Sequence, residues 1–274
     1  MSDPTLRIAF IGGGNMASAI IGGLIQRGLP ASQIEVVEPF PEAQQALQTK
    51  FGITAHAQAG EFLRGADMVV WAVKPQTFKE AAAPVQAYTQ SALHLSVAAG
   101  IPSASIARWL GTDRVVRSMP NTPALIGQGI TGLFPRPGVT PQDRRRIEEV
   151  VATTGEFVWL EREEQIDTVT ALSGSGPAYV FYFLEAMTDA GASMGLTREQ
   201  AYKLAVQTFR GASALAHASS EPPDILRQRV TSKGGTTHAA ISSLEAHQVK
   251  PLFVQALQAA QQRARELGEE FGRD

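Results

Sequence analysis

The N-terminal segment Leu6–Ala17 reads LRIAFIGGGNMA. It begins with a short apolar run, and its second half, Gly12–Ala17, fits the pattern G-x-G-x-x-A. The apolar run predicts a buried strand, and the glycines predict a tight turn that opens a helix. The pattern alone is common, but its place between a strand and a helix favours a site for the phosphates of a dinucleotide. The alternative is a glycine turn without a ligand.

The small residues of this turn have separate physical roles. Gly12 permits the tight turn, Gly14 lets the backbone approach a pyrophosphate, and Ala17 lets the helix pack close to the strand. The helix N-terminus supplies free N–H groups and a partial positive charge to the phosphates. We therefore expect cofactor contacts from Gly12, Gly14, Asn15 and Met16.

An acidic residue follows the next apolar run. Glu38 comes directly after Ile34–Val37 and lies 21 residues beyond Ala17. A carboxylate at this position can accept a hydrogen bond from the 2′-hydroxyl of the adenosine ribose, and it repels a 2′-phosphate. The next residues, Pro39, Phe40 and Pro41, include no arginine that would hold such a phosphate. The sequence therefore favours NADH, with NADPH as the alternative cofactor.

Short apolar runs alternate with helical patterns through the first half of the chain. This alternation predicts an α/β fold of the Rossmann type, a doubly wound, mostly parallel sheet with helices on both faces. The predicted strands are Leu6–Ile11, Ile34–Val37, Met68–Val73, Leu93–Val97 and Val115–Ser118, with edge strands at Thr131–Phe134 and Phe157–Leu160. The predicted helices are Met16–Gln26, Pro41–Phe51 and Pro141–Ala152.

Three loops follow predicted strands, at the sheet edge where ligands of doubly wound folds bind. These loops are Lys74–Gln76, Ala98–Gly100 and Met119–Pro123. Their small residues let a flat nicotinamide ring approach the backbone, and the prolines hold the last loop rigid. On spacing alone, each loop is also compatible with a purely structural turn. The cofactor contacts expected here are Val73, Lys74, Pro75, Ala98, Gly100 and Asn121.

From about residue 162 onward, helical patterns continue and no convincing strand is found. We expect a dinucleotide-binding domain over residues 1–161 and an all-helical domain over residues 162–274. Helices are predicted at Pro177–Met194, Thr197–His217 and Pro251–Leu267. The first is apolar around most of its circumference, so it must be buried on nearly all sides. A partner subunit would bury it, whereas the alternative is a monomeric helical bundle.

A second glycine-rich segment, Val230–Thr237, reads VTSKGGTT and precedes a helix predicted at His238–Glu245. Glycines followed by hydroxyl groups at a helix start form a compact anion pocket, because N–H groups, O–H donors and the helix dipole combine there. A substrate carboxylate would suit this pocket. The alternative is a glycine turn with a threonine N-cap.

The composition excludes several classes of function. The chain has 274 residues, 24 basic and 26 acidic side chains, and no cysteine. Disulfides, thiolate chemistry and cysteine zinc sites are therefore excluded, and the lack of a basic block argues against nucleic-acid binding. The five histidines show no ligand spacing, so we expect no metal. Residues 1–7 show no signal pattern and no apolar run is long enough for a membrane span, so we expect a cytoplasmic location.

Together these motifs resemble the pyrroline-5-carboxylate reductase family over essentially the whole chain. The resemblance implies hydride transfer from C4 of the reduced nicotinamide to C5 of the cyclic imine, which gives L-proline in the last step of proline biosynthesis. It also implies a substrate site between the two domains and a homodimer with interlocked helical domains, often within a larger ring. The segments that carry the resemblance are Phe10–Met16, Ala72–Gln76, Met119–Pro123, Ala171–Tyr179 and Thr231–Thr237, followed by Ala240, Ile241, Leu244 and Glu245.

The resemblance also assigns the substrate site. It implies that Thr237 bonds the imine nitrogen, and that the substrate carboxylate and ring are held by Ser232, Gly235, Thr236 and Thr237. Hydride adds more easily to a protonated C=N group, so the site needs positioning and a proton source more than a strong base. A threonine hydroxyl is a weak acid, so we expect it to orient the imine or relay a proton.

The chain departs from the family at two positions. The family usually has proline at the position of Lys233. The positive charge of Lys233 could attract the substrate carboxylate, or its side chain could simply point to solvent. The family often has an asparagine that contacts the cofactor ribose near the position of Ala59. Its absence leaves the contacts on the adenosine side open, as does Glu38.

Two other functions remain open from the residues. A hydroxy-acid dehydrogenase of the 6-phosphogluconate dehydrogenase type shares the architecture and would need a lysine base in the helical domain. Lys203 and Lys250 are available there, but neither lies in a recognisable motif. A non-catalytic dinucleotide sensor is the second alternative. The pocket at residues 230–237 argues against it, because such a sensor needs no second anion site.

Overall fold

The structure, a computed structural model, describes residues 6–273 of the chain, so most of the N-terminal stretch behind the signal-peptide expectation lies outside the described residues. Contacts divide these residues into two compact units. One runs up to Ser175 and includes the residues from Ala260 onward, and the other is Gly176–Ala259. The domain boundary predicted between residues 161 and 162 stays a prediction. Within residues 6–273, no helix is long and apolar enough to cross a membrane.

The first unit contains one seven-stranded sheet. Its strands are β1 Ile8–Ile11, β2 Ile34–Val37, β3 Met68–Trp71, β4 Leu93–Ser96, β5 Val115–Met119, β6 Gly129–Pro135 and β7 Gly155–Trp159. Their order is β2-β1-β3-β4-β5-β6-β7. All neighbouring pairs are parallel except β5 and β6, which are antiparallel. The mostly parallel sheet expected from the sequence is confirmed.

Helices cover both faces of this sheet. They are α1 Asn15–Gln26, α2 Pro41–Phe51, α3 Pro75–Gln86, α4 Ser103–Leu110, α5 Pro141–Val151 and α6 Gln165–Val169. One apolar core joins α1, α2 and α5 to the sheet, and a second core joins α3 and α4 to the opposite face. In β1, Ile8 and Phe10 belong to the first core, and Ala9 and Ile11 to the second. Because both faces of the strand are buried, its sequence is continuously apolar.

The order of the strands creates a crevice beside β1. The strand lies between β2 and β3, so the chain winds to one side after β1 and to the other side after β2. In doubly wound sheets, ligands bind outside the carboxyl ends of the strands at such a reversal. The loop after β1, which contains the glycine turn, therefore lies at the expected ligand-binding position.

One expectation about the sheet edges was wrong. The stretch Thr131–Phe134 was predicted as an edge strand, but it lies in β6, which pairs with β5 on one side and with β7 on the other. A 3₁₀ turn at Thr122–Ile126 reverses the chain after β5 and places β6 beside it. The crossover through α5 then adds β7 outside β6. The predicted edge strand Phe157–Leu160 corresponds to β7, which does lie at an edge.

The second unit is helical in all its described elements. It contains α7 Gly176–Ser193, α8 Arg198–Ala218, α9 Pro223–Arg229 and α10 Thr236–Ala246, and α11 Val249–Phe271 contributes residues to both units. The first turn of α8 is fixed by a reciprocal capping box between Thr197 and Gln200. The all-helical character expected from about residue 162 is confirmed, although α9 was not predicted.

The apolar surface of α7 is largely uncovered within a single chain. Only Thr188 and Gly191 of this helix are buried. Phe181 and Tyr182 are 59% and 69% exposed, respectively. A concentration of large exposed apolar side chains on one element is typical of a subunit interface. The expectation that this helix needs a partner therefore fits the single-chain structure.

Candidate functional site

The glycine turn is fixed at the carboxyl ends of the central strands. Gly12 has a φ of +95°, and a Cβ at this position would lie 2.6 Å from the carbonyl oxygen of Ala72. Only glycine adopts this conformation in that space without strain. The Gly12 N–H donates to the Val37 carbonyl at 2.8 Å, and the Ala72 N–H donates to the Ile11 carbonyl at 2.8 Å. The turn is thus tied to β1, β2 and the end of β3.

The start of α1 is open to an anion. Gly14 is the N-cap residue, no side chain caps the helix, and the first turn contains no acidic residue. A Cβ added at Gly14 would meet no heavy atom within 4 Å. Free backbone N–H groups and the positive end of the helix dipole therefore face unobstructed space beside Asn15 and Met16. These residues fit the pyrophosphate of a dinucleotide.

The carboxylate of Glu38 lies beneath the glycine turn and is 5% exposed. Its Oε2 accepts a hydrogen bond from the Gly13 N–H at 2.8 Å, and its Oε1 accepts one from the Phe40 N–H at 3.0 Å. Gln44 also donates its side-chain amide to the Glu38 carbonyl at 2.6 Å. The acid expected near the adenosine ribose is thus held at the end of β2, next to the turn. Its contact with a ribose stays a prediction.

The sequence assigns no function to Phe40 and shows only that it is not an arginine. Its side chain is 69% exposed, directly after the strand that carries Glu38. The signal that could have indicated a role was an aromatic residue two positions beyond the acid at the strand end. The structure adds its high exposure, which no local pattern specifies.

Val73, Lys74 and Pro75 follow β3 and lead directly into α3. The Cγ1 atom of Val73 would lie 3.2 Å from a Cβ at Gly12, so the two expected cofactor residues are adjacent. Lys74 is the exposed N-cap residue of α3, and Pro75 is the first residue of the helix. The structure therefore brings this loop to the glycine turn, because β3 lies directly beside β1.

The other two loops have clear structural contacts. Ala98 and Gly100 are both buried after β4. A Cβ at Gly100 would lie 3.2 Å from side-chain atoms of Leu267 and Phe271, so the glycine lets the end of α11 pack closely. The side-chain oxygen of Asn121 accepts a hydrogen bond from the Ile130 N–H at 3.0 Å and so holds the start of β6. Cofactor contacts from Ala98, Gly100 and Asn121 stay predictions.

The second glycine-rich segment forms the start of α10. Gly234 has a φ of +74°, and Gly235 is the N-cap residue in an extended conformation. A Cβ at Gly235 would lie 2.6 Å from the Ser232 hydroxyl, so the glycine leaves room for that side chain. Thr236 and Thr237 form the first turn of the helix, which begins two residues before the predicted start at His238. Their hydroxyls therefore lie at the positive end of the helix dipole.

Three hydroxyls of this segment have no hydrogen-bond partner among residues 6–273. Within residues 6–273, the side chains of Ser232, Thr236 and Thr237 form no hydrogen bond. The neighbouring Thr231 hydroxyl, by contrast, donates to the Arg227 carbonyl at 2.6 Å. The helix start also has no side-chain cap. We name residues Ser232–Thr237 the hydroxyl cradle, which offers O–H and N–H donors that suit a small carboxylate.

A separate cluster of charges lies within the first unit. Arg117 of β5 is buried, donates to Glu163 at 2.9 Å and lies 3.6 Å from a carboxylate oxygen of Asp167. Burial acts to raise the pKa of Glu163, but hydrogen bonds from Ser103 and Arg117 outweigh it and lower that pKa. Burial raises the pKa of Asp167, and Arg117 offsets this only in part. Arg117 pairs with both carboxylates, and the charge of Arg265 also acts on Asp167, so we assign the cluster a structural role.

The chain matches two family models. The model described as "Pyrroline-5-carboxylate reductase dimerisation" matches residues 163–267. The model described as "NADP oxidoreductase coenzyme F420-dependent" matches residues 7–100. The chain is also similar to full-length relatives.

The pyrroline-5-carboxylate reductase of Pseudomonas aeruginosa is 48% identical over 276 residues, which cover 99% of this chain and 100% of the relative. The enzyme of that name from Escherichia coli is 39% identical over 265 residues, which cover 95% of this chain and 98% of the relative.

Solved structures extend this similarity. A pyrroline-5-carboxylate reductase from Coxiella burnetii superimposes with a TM-score of 0.89 at 39% identity, over 96% of this chain and 98% of the other. A pyrroline carboxylate reductase from Plasmodium falciparum with NADP bound superimposes with a TM-score of 0.86 at 27% identity, over 97% of this chain and 99% of the other.

Proposed function

Because the chain belongs to the pyrroline-5-carboxylate reductase family, we propose that its two units divide that reaction between them. The reaction is the reduction of 1-pyrroline-5-carboxylate to proline with NADH or NADPH. The first unit binds the dinucleotide, and the second unit holds the imine. The full-length similarity to these reductases favours neither the hydroxy-acid dehydrogenase nor the non-catalytic sensor.

The dinucleotide fits the glycine turn of the first unit. The bound reduced cofactor supplies the hydride. The uncapped start of α1 would hold the pyrophosphate, because its N–H groups have no internal acceptor and the space at Gly14 is open. The proposed cofactor contacts are Gly12, Gly14, Asn15, Met16, Glu38, Val73, Lys74, Pro75, Ala98, Gly100 and Asn121.

We assign the chain a preference for NADH over NADPH. The carboxylate of Glu38 is fixed by two backbone N–H groups, so it cannot easily turn away from a bound ribose. A fixed negative charge accepts a hydrogen bond from a 2′-hydroxyl and repels a 2′-phosphate. Comparable kcat/KM values for the two cofactors would contradict this assignment.

The hydroxyl cradle binds the imine. The N–H groups at the start of α10 and the hydroxyls of Ser232 and Thr236 donate hydrogen bonds to the substrate carboxylate, and Gly235 leaves room for the Ser232 side chain. The Thr237 hydroxyl contacts the imine nitrogen and orients it. Hydride adds to the carbon of C=N while the nitrogen carries a proton. The contact with Thr237 therefore helps to hold that proton at the imine nitrogen.

The observation on which this assignment rests is the set of three uncommitted hydroxyls at the uncapped start of α10. Removing one hydroxyl while keeping the shape tests it. Thr237→Val is expected to lower kcat/KM for the imine by about threefold to tenfold, the loss of one hydrogen bond. Thr49→Val, which removes an exposed hydroxyl from α2, is the matched control and is expected to change nothing. A decrease of less than about threefold for Thr237→Val would contradict the role.

The chain forms dimers, because residues 163–267 match the dimerisation model of the family. We assign substrate binding and dimerisation to residues 162–274, and propose that the helical domains interlock and that dimers assemble into a larger ring. The exposed apolar side chains of α7, including Phe181 and Tyr182, support this arrangement. Sedimentation velocity should show no monomer at micromolar concentrations, and Phe181→Glu should release monomers.

We also propose a cytoplasmic location. The reaction consumes a reduced nicotinamide dinucleotide, which cells regenerate in that compartment. Fractionation of cells should recover the chain and its imine-dependent NADH oxidation together in the cytosolic fraction. Recovery in another compartment would contradict this location.

A further inference from the structure

Phe40 presents a large apolar ring at the mouth of the proposed cofactor site. The side chain is 69% exposed, whereas the neighbouring Glu38 is 5% exposed. A single exposed aromatic side chain on a protein surface needs no explanation by itself. The position of this one, two residues beyond the carboxyl end of β2, does suggest a function, because ligands of doubly wound sheets bind at that edge.

The backbone around Phe40 is fixed from several sides. Its N–H donates to the Glu38 carboxylate at 3.0 Å, and its carbonyl accepts a hydrogen bond from the Gln44 N–H at 3.0 Å. Pro41 follows as the first residue of α2, and its ring restricts the backbone there. A ring on such a backbone is preorganised, so binding a flat partner costs little conformational entropy.

The order of the proposed subsites indicates what this partner is. The pyrophosphate lies at the start of α1 and the adenosine ribose lies at Glu38, so the base follows on the far side of the ribose. Phe40 is tied to the same carboxylate that marks the ribose position. We propose that the ring of Phe40 stacks on the adenine of the dinucleotide and holds the adenosine end of the cofactor. This inference rests on the proposed cofactor site.

Stacking of this kind has a distinct signature. An aromatic ring contacts the face of the base and does not contact the 2′ position of the ribose, so it strengthens binding of NADH and NADPH alike. It is also remote from the nicotinamide, so it changes affinity and leaves kcat largely unaffected. A reduced nicotinamide mononucleotide, which lacks the adenosine half, gains nothing from the ring.

The experiment compares NADH with reduced nicotinamide mononucleotide in the full-length enzyme at saturating imine. Phe40→Ala is expected to raise the KM for NADH by about fivefold or more, because removing an aromatic platform from a base has effects of that size. The KM for the mononucleotide should change by less than about twofold, and Phe40→Trp should restore the KM for NADH. Val158→Ala, at an exposed position on β7 at the opposite sheet edge, is the control and should match the wild type.

Three results would overturn the inference. These are an unchanged KM for NADH in Phe40→Ala, an equal rise for both cofactors, or a failure of Phe40→Trp to restore affinity. An equal rise would mean that the ring supports the fold of the site. A failure of the proposed function looks different, because the wild type itself would then show no imine-dependent oxidation of either cofactor.

Discussion

Trp71 in β3 donates its indole N–H to Nδ1 of His94 in the neighbouring strand β4, at a distance of 3.1 Å. Both side chains are buried, and Nε2 of His94 lies 3.2 Å from the carbonyl oxygen of Thr89. The ring is therefore neutral, with its proton on Nε2, where it donates to Thr89. Burial is the main cause that lowers the pKa of His94 to about 4, and the nearby charge of Arg114 contributes.

This pair predicts a loss of stability in mild acid. The pKa of His94 is about 4 in the folded chain against 6.5 for an unperturbed histidine. As the pH falls through this window, the unfolded chain binds a proton that the folded chain excludes, so the free energy of unfolding decreases. The decrease should reach about 3 kcal/mol at the acid end. Urea unfolding at fixed protein concentration between pH 4.5 and 7 measures it.

His94→Asn is the control for this prediction. Asparagine can still accept the hydrogen bond from Trp71, but it does not titrate. We expect the variant to be less stable at pH 7 and to lose less stability on acidification than the wild type. Identical pH slopes for the two proteins would show that His94 is not responsible.

Gly12→Ala should lower the stability of the fold, whereas Gly14→Ala should weaken cofactor binding. A Cβ at Gly12 meets the Ala72 carbonyl at a positive φ, whereas a Cβ at Gly14 meets no atom of the chain. Gly12→Ala is therefore expected to lower the free energy of unfolding by at least about 2 kcal/mol. Gly14→Ala should leave it within about 0.5 kcal/mol but raise the KM for NADH about tenfold. Equal stability losses in the two variants would contradict this distinction.

Glu38→Gln should shift the cofactor preference towards NADPH. The substitution removes the buried negative charge beside the ribose position, which opposes a 2′-phosphate by about 1 kcal/mol or more. The ratio of kcat/KM for NADPH to that for NADH should therefore rise about fivefold or more. Glu35→Gln makes the same charge change on β2, where the side chain contacts His56, and should leave the ratio unchanged. An equal shift in both variants would show that general surface charge sets the preference.

Two aspartate–arginine pairs should differ in their contribution to stability. Asp143 is 1% exposed and accepts hydrogen bonds from Arg114 at 2.6 and 3.0 Å, whereas Asp113 is 57% exposed and pairs with Arg136 at 2.7 Å. Asp143→Asn should cost about 3 kcal/mol, because it leaves a charge without its buried partner. Asp113→Asn should cost less than about 1 kcal/mol, because solvent screens the pair. Chemical unfolding of both variants measures the difference.

Much of the first unit could be predicted from local sequence. The strand Ile34–Val37 and the helix Pro41–Phe51 have the predicted bounds, because a buried apolar run and a proline at the first helical position are strong local signals. The turn at Gly12 could be predicted for the same reason, since its positive φ leaves glycine as the residue that fits. Local chemistry sets these features before any distant contact forms.

Features that depend on distant partners could not be predicted in this way. The central position of β6 depends on pairing with β7 more than twenty residues later, which no pattern within β6 specifies. The start of α10 at Thr236 was predicted two residues too late, because the hydroxyl residues were taken as a loop before the helix rather than as its first turn. The two hydrogen bonds that occupy the Glu38 carboxylate also require the three-dimensional fold.

Because of the uncovered face of α7, the cellular concentration of this chain affects the fraction that escapes degradation. With α7 in the proposed subunit interface, a newly made chain keeps Phe181 and Tyr182 in water until it meets another copy. Encounter rate, and hence the level of synthesis, then sets how long each chain remains vulnerable to proteases and to sticking to unrelated proteins. A cell that makes little of this enzyme would therefore lose a larger fraction of it than a cell that makes much.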